Sequence, residues 1–231
     1  MLELFPEGFE EADVRGAYEA AAYTDEAGVH RARAFFSDVE VTAVEQGWEH
    51  RWRDFHRPAR VGPLWLGAPW LEPDDEAVPV TIDPGRAFGT GAHATTRLCL
   101  ELLLEVPRGR LLDAGCGSGV VAIAAAKIGF RPVVAVDADA AAVESAERNA
   151  AANGVALDVR CADVLTDELP HADVCVANIS LATVDALARR IRAGTLVTSG
   201  YLARDEFHPP GYQRRERRTL DRWAADLFAR E

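Results

Sequence analysis

The sequence predicts an α/β protein: a mostly parallel sheet ending in an antiparallel C-terminal edge hairpin, with a small α+β segment in front of it. Three observations carry that expectation. From Pro79 onward, short apolar runs alternate with helix-like runs, the order that produces βαβ units and a parallel sheet. A glycine cluster, LLDAGCGSG, joins the first of these strands to its helix. The tail then breaks the alternation, because GYQRRERRTLD and WAADLFAR lie too close together for a helix between them.

Residues 1–50 hold twelve acidic side chains against three arginines, a net of −9. Within them EAGVHRARAFF has helical spacing, DVEVTAVE alternates as a strand does, and EAAAYTD fits either. Residues 51–78 are rich in Trp, Pro and Gly and read as a linker whose tryptophans pack on the larger domain, residues 79–231. In that domain RLLDAG is a buried strand, and SGVVAIAAAKIG a helix stopped at Gly129. PVVAVD is the next strand, and the helix after it is capped by Asp139 or Asp137 and ended by Gly154. ALDVRC and ADVCVAN follow as strands, LATVDALARRI as a helix and TLVTSG as a strand.

Composition narrows the function classes. A chain of 231 residues with 48% hydrophobic residues buries a full core. Its net charge of −12 argues against direct nucleic-acid binding through bulk positive charge. Cys99, Cys116, Cys161 and Cys175 form no CxxC pair and no zinc spacing, which fits free thiols, a reducing compartment and no metal. The start MLELFPEGFEE is acidic where a secretory signal is basic and then apolar, and GVVAIAAA is stopped by Lys127 short of a membrane span. The expectation is a cytoplasmic protein without a membrane partner.

The turn after the first strand carries the chemistry. Gly115, Gly117 and Gly119 let backbone approach a ligand where a Cβ would clash, whereas a plain tight turn needs a single glycine. Asp113 precedes the turn, and Asp137 ends the next strand 22 residues after Gly115, where a carboxylate can accept ribose hydroxyl hydrogens. Val120 stands where the dinucleotide fingerprint has its third glycine, and GRAFGTGAHATT lacks the lysine of a phosphate-binding loop. A nucleoside ligand without a pyrophosphate fits better.

D-x-G-x-G-x-G followed by a strand ending in Asp resembles the signature of S-adenosylmethionine-dependent methyltransferases. Together with IDPGRAFGTGAHATTRLCLELL and ADVCVANI, it closely resembles the PrmA family, the bacterial ribosomal protein L11 methyltransferases. The resemblance runs from about Gly47 to the C-terminus. It implies a Rossmann-like class I methyltransferase sheet, S-adenosyl-L-methionine as cofactor, and lysine or α-amino groups of a ribosomal protein as acceptor. It also implies that the AFGTG loop folds over the methionine end of the cofactor. By that resemblance Thr96, Gly115, Asp137 and Asn178 match cofactor-contact positions, supported by Phe88 and Gly89. Asp113 and Gly117 join them from the reading of the turn.

Three departures are visible. Ala94 stands where the family has proline, and Asn178-Ile179-Ser180 where it has Asn-Ile-Leu. The third concerns the ferredoxin-like N-terminal recognition domain that the resemblance implies, which this chain is expected to enter partway through: only about two strands, a helix and a strand fit before Gly47. No carboxylate dyad or His–Asp pair stands out as a base. Asn178 is the candidate catalytic residue, orienting the amine through its side-chain or backbone carbonyl. His93 is either a proton relay or a partner of its own turn, and Asp163 either an adenine contact or a cap. Alternatives are a methyltransferase of another protein lysine or a small amine, and a non-catalytic cofactor-binding module.

Overall fold

The run LLDA becomes an inner strand of a seven-stranded sheet. The computed structural model describes residues 10–14, 17–21, 24, 26–36, 39–41, 57–83 and 93–231. The chain divides into two units, Met1–Arg53 and Asp54–Glu231.

In the first unit β1 (Glu10–Val14) pairs antiparallel with β2 (Ala17–Ala21), and α1 (Glu26–Phe35) follows. EAGVHRARAFF thus forms the helix, and the ambiguous EAAAYTD lends Glu19–Ala21 to β2. Of DVEVTAVE, residues 39–41 carry no strand and the rest lies outside the described residues.

The second unit begins with a small sheet of β3 (Ala59–Val61), β4 (Leu64–Gly67) and β5 (Val78–Thr81), with β3–β4 antiparallel and β4–β5 parallel. Residues 59–67 therefore form two strands inside the stretch read as a linker. Every residue of β4 is buried, so no polar–apolar alternation betrays it, and Pro and Gly on either side look like loop. Of the tryptophans in this stretch, Trp65 is buried, Trp70 is partly buried and Trp52 lies outside the described residues.

The helix α2 (Ala94–Glu105) leads to β6 (Leu111–Ala114), α3 (Val120–Lys127), β7 (Val133–Asp137), α4 (Ala140–Ala152) and β8 (Asp158–Cys161). Then come β9 (Val174–Asn178), α5 (Leu181–Ala188), β10 (Thr195–Leu202), β11 (Tyr212–Leu220) and β12 (Trp223–Arg230). The strand order is β11-β12-β10-β9-β6-β7-β8. All neighbours from β10 to β8 are parallel, while β12 runs antiparallel to both β10 and β11. The hairpin is as expected, but its second strand inserts beside β10 and leaves β11 at the edge.

Burial follows the pleat. Leu111 joins a core with Leu98, Leu102, Ile123 and Phe130 on one face, and Leu112 joins Val184, Leu187 and Phe228 on the other. Helix ends follow their local chemistry: Gly129 and Gly154 take φ of 101° and 65° past α3 and α4. The α4 cap is Asp139, whose Oδ1 accepts from the amide of Ala141 at 2.9 Å.

The arginines of QRRERR on β11 are mostly consumed internally. Arg218 pairs with Glu101 and Glu105 of α2, while Arg214 and Arg217 pair with Glu206 and the fully buried Asp226. Tyr201 donates to the other oxygen of Asp226 at 2.8 Å. These arginines are thus paired with acids of the helix α2, of the loop before β11 and of β12. Among the described residues, no helix is long and apolar enough to cross a membrane.

Candidate functional site

The chain leaves β6 toward β7 and β8 on one side, while β9 and β10 lie on its other side. Crossovers diverge at that point, and in open α/β sheets ligands bind beyond the carboxyl ends of the strands at such a switch point, here β6 and β9. The LLDAGCGSG turn stands there. The amides of Gly115 and Cys116 donate to the Val136 carbonyl at 2.8 and 3.0 Å, which ties the turn to β7. One residue on, the Gly117 amide donates to Asp137 Oδ2 at 2.9 Å and the Asp139 amide to Asp137 Oδ1 at 3.0 Å. Asp137 therefore clamps two loops and is not the helix cap. Each carboxylate oxygen has two lone pairs, so both can still accept a hydroxyl hydrogen.

Two of the three turn glycines have a packing reason. A Cβ on Gly115 would stand 2.3 Å from Ile179 Cγ2, and one on Gly119 would stand 3.0 Å from Ala146 Cβ of α4. The expectation that all three make room for a ligand narrows accordingly. Gly117 has φ of 53° and presents its amide to Asp137.

Asp113 is 2% exposed, and its Oδ2 accepts the Ala122 amide of α3 at 3.0 Å. Burial pushes its carboxyl up to about 7, and the nearby Asp137 charge pushes in the same direction. Burial also pushes the thiols of Cys99, Cys116 and Cys175 well above their ordinary value, which leaves them protonated and inert. All four cysteines are free, with Cys161 exposed. Among the described residues, no three His, Cys, Asp or Glu side chains gather as a metal site requires.

Facing the turn, Thr96 of α2 and Asn178 at the end of β9 come together, Asn178 Nδ2 reaching Thr96 Oγ1 at 3.4 Å. They are 82 residues apart in the chain. His93 caps α2, its Nδ1 accepting the Thr95 amide at 3.4 Å and lying 2.8 Å from Thr95 Oγ1. That is the local role foreseen for it. Burial lowers its pKa against the opposing pull of Asp221, so the ring is neutral at pH 7. Its edge meets Trp223 at 5.2 Å between centroids. Trp223 was legible only as a strand residue, and nothing in its neighbourhood along the chain marks it as a site residue.

Asp163, beyond β8, uses Oδ1 to accept the Leu165 amide at 2.8 Å, the capping alternative of its two readings. Phe88 and Gly89 lie outside the described residues.

A central parallel sheet with its last strand reversed, and a glycine turn clamped by the acid of the neighbouring strand, define the class I methyltransferase fold. The family model described as ribosomal protein L11 methyltransferase (PrmA) matches residues 10–207. The ribosomal protein L11 methyltransferase of Symbiobacterium thermophilum is 42% identical over 169 residues, 69% of this chain and 56% of that protein. Its counterpart in Aliivibrio salmonicida is 39% identical over 209 residues, 83% of this chain and 70% of that one. A crystal structure of ribosomal protein L11 methylase from Lactobacillus delbrueckii subsp. bulgaricus superposes with a TM-score of 0.67 at 26% identity, covering 75% of this chain and 98% of that one. The chain belongs to the ribosomal protein L11 methyltransferase (PrmA) family. It spans a little over half the length of the first curated relatives it matches.

Proposed function

We propose that the protein transfers methyl groups from S-adenosyl-L-methionine to lysine or α-amino groups of ribosomal protein L11. The observation that carries this reading is the Gly117–Asp137 clamp facing the Thr96–Asn178 pair across the switch point, in a member of that family. The residues present suit the cofactor. Asp137 retains acceptor capacity for ribose hydroxyls, and Gly117 brings backbone to the crevice without a side chain. The buried carboxyl of Asp113 is positioned to favour a nearby cation when it ionises.

When bound, S-adenosylmethionine supplies an electrophilic methyl on a good leaving group. The protein's share is alignment, which is worth up to about 7–11 kcal/mol for a well-oriented pair. Asn178, held by Thr96, directs the amine through its side-chain or backbone carbonyl. The neutral His93, packed against Trp223, adds no positive charge at the mouth of α2 that would oppose a cationic ligand. Residues 1–50 serve substrate recognition and residues 79–231 catalysis, with residues 51–78 lending strands to the catalytic unit. A ribosomal substrate and free thiols also support a cytoplasmic location.

Mass spectrometry of ribosomal proteins incubated with the enzyme and isotopically labelled cofactor tests the reading. Label on L11 is expected; label on another protein or a small amine alone would redirect the substrate, and cofactor binding without transfer to anything would leave a binding module.

A further inference from the structure

Gly200 lies near the end of β10, inside a break of the register with β12 between Ser199 and Tyr201. Its φ is 97°. A Cβ built there would stand 2.1 Å from the carbonyl oxygen of Ile179, 2.7 Å from its carbonyl carbon and 3.0 Å from its nitrogen. Those atoms are backbone and belong to the two peptide units that follow Asn178. The segment leaving β9 is therefore seated directly on the backbone of β10, at a distance only glycine permits.

The β10 side of this contact has little room to yield. On β10 the bulge is pinned on both flanks: Ser199 Oγ donates to the Ala224 carbonyl at 2.7 Å, and Tyr201 donates to Asp226. Thr198 Oγ1 lies 2.6 Å from the Tyr201 hydroxyl. All of these side chains are buried. Beyond β9, the side chain of Ile179 rests on Gly115 of the turn, and Ser180 caps α5 through the Thr183 amide. Ile179 is thus held between two glycines, its side chain on one and its backbone on the other.

We propose that Gly200 is a positioning residue for methyl transfer, setting the Asn178–Ser180 backbone so that Asn178 meets Thr96 and faces the acceptor. The inference rests on the methyltransferase reading given above. Restoring an ordinary contact to a Cβ at 2.1 Å means displacing the Ile179 carbonyl by roughly 1 Å, and a misplacement of that size is enough for about a hundredfold loss of rate. The clamp of Asp137 and Gly117 lies two residues along the turn from the Gly115 contact and is held by its own hydrogen bond, so it feels this shift less than Asn178, which adjoins Ile179.

The test compares Gly200→Ala with wild type in three readouts: kcat and KM on L11, S-adenosylhomocysteine affinity by calorimetry, and the Asn178 side-chain amide signal in ¹⁵N NMR. The expected result is a folded variant whose kcat falls between about 10- and 100-fold, with cofactor affinity falling by clearly less than kcat and the Asn178 signal displaced. A merely structural glycine lowers the melting temperature but leaves kcat of the folded enzyme alone. A folded variant with kcat within twofold of wild type, or one whose kcat falls only in step with cofactor affinity, overturns the proposal. Should Gly200→Ala fail to fold, Ile179→Ala decides: it should lower kcat at least fivefold, with Ile179→Val, which keeps Cγ2 on Gly115, recovering most of the loss. An Ile179→Ala enzyme within twofold of wild type overturns the proposal equally. If wild type transfers no methyl at all, the methyltransferase reading fails by itself. The Asn178 signal then still decides the inference, and an unmoved signal in both variants rejects it.

Discussion

Replacing Asp137 removes two functions together, and their magnitudes separate them. The first is the proposed ribose contact, a charge-assisted hydrogen bond whose loss costs about 1.5–3 kcal/mol, or roughly 10- to 150-fold in cofactor affinity. The second is the loop clamp. In Asp137→Ala the amides of Gly117 and Asp139 lose their acceptor. The Asp139 amide is exposed and recovers water, while the Gly117 amide is half-buried, so the net cost is about 1–2 kcal/mol. For a unit of this size that is a fall of about 2–8 °C in melting temperature, from a fold that stays intact. Asp137→Asn keeps one carbonyl oxygen and should lose less stability than Asp137→Ala while still losing most of the affinity. The measurements are thermal melts and S-adenosylhomocysteine calorimetry well below the transition. Melting temperatures that fall in both variants with wild-type affinity would show that Asp137 holds loops and touches no ribose, and the placement of the cofactor would have to be abandoned.

Asp113 gives a pH prediction. Its carboxyl titrates at about 7 in the folded chain against an ordinary value near 3.8, so the native state binds the extra proton and stability falls as pH rises from about 4 through 7. Asp113→Asn should flatten that fall and gain at most about 4 kcal/mol at pH 8, and urea melts at pH 5 and pH 8 that move in parallel with wild type would contradict it. Gly117→Val forces an L side chain into φ of 53° at the crevice and should abolish cofactor binding; a folded variant that binds as wild type makes the turn purely structural. For the acidic first unit, neutralising Glu10, Glu11 and Asp13 should weaken the salt dependence of KM for a lysine-rich protein substrate, since fields of this kind reach about 8 Å at physiological salt. Equal salt dependence in both enzymes removes these charges from recognition.

The alternation of strands and helices, the glycine stops of α3 and α4 and the C-terminal hairpin were legible because each depends on neighbours along the chain. Apolar period, turn conformation and caps are local interactions, so LLDAGCGSG and VVAVD announce a strand–turn–helix and a strand without knowledge of the rest. The small sheet of β3 to β5 was hidden for the same reason in reverse. Its strands are three and four residues long, and their pairing is set by contacts a short window does not contain. The choice between Asp137 and Asp139 as the α4 cap was left open by the sequence. Both have the right chemistry, and only the position of the Gly117 amide, brought over by the β6–β7 pairing, assigns one to the clamp and the other to the helix.

Long-range juxtaposition decided the remainder. Thr96 meets Asn178, His93 meets Trp223, and Ile179 is caught between Gly115 and Gly200, although each pair or trio is assembled from distant segments. Arg214 and Arg217 of β11 are paired because β12 inserts between β10 and β11 and brings Asp226 within reach. Local chemistry suffices for elements and their ends, since backbone hydrogen bonding and side-chain period are short-range. Which side chains share a crevice depends on strand order and register, and those follow from the burial of the whole core.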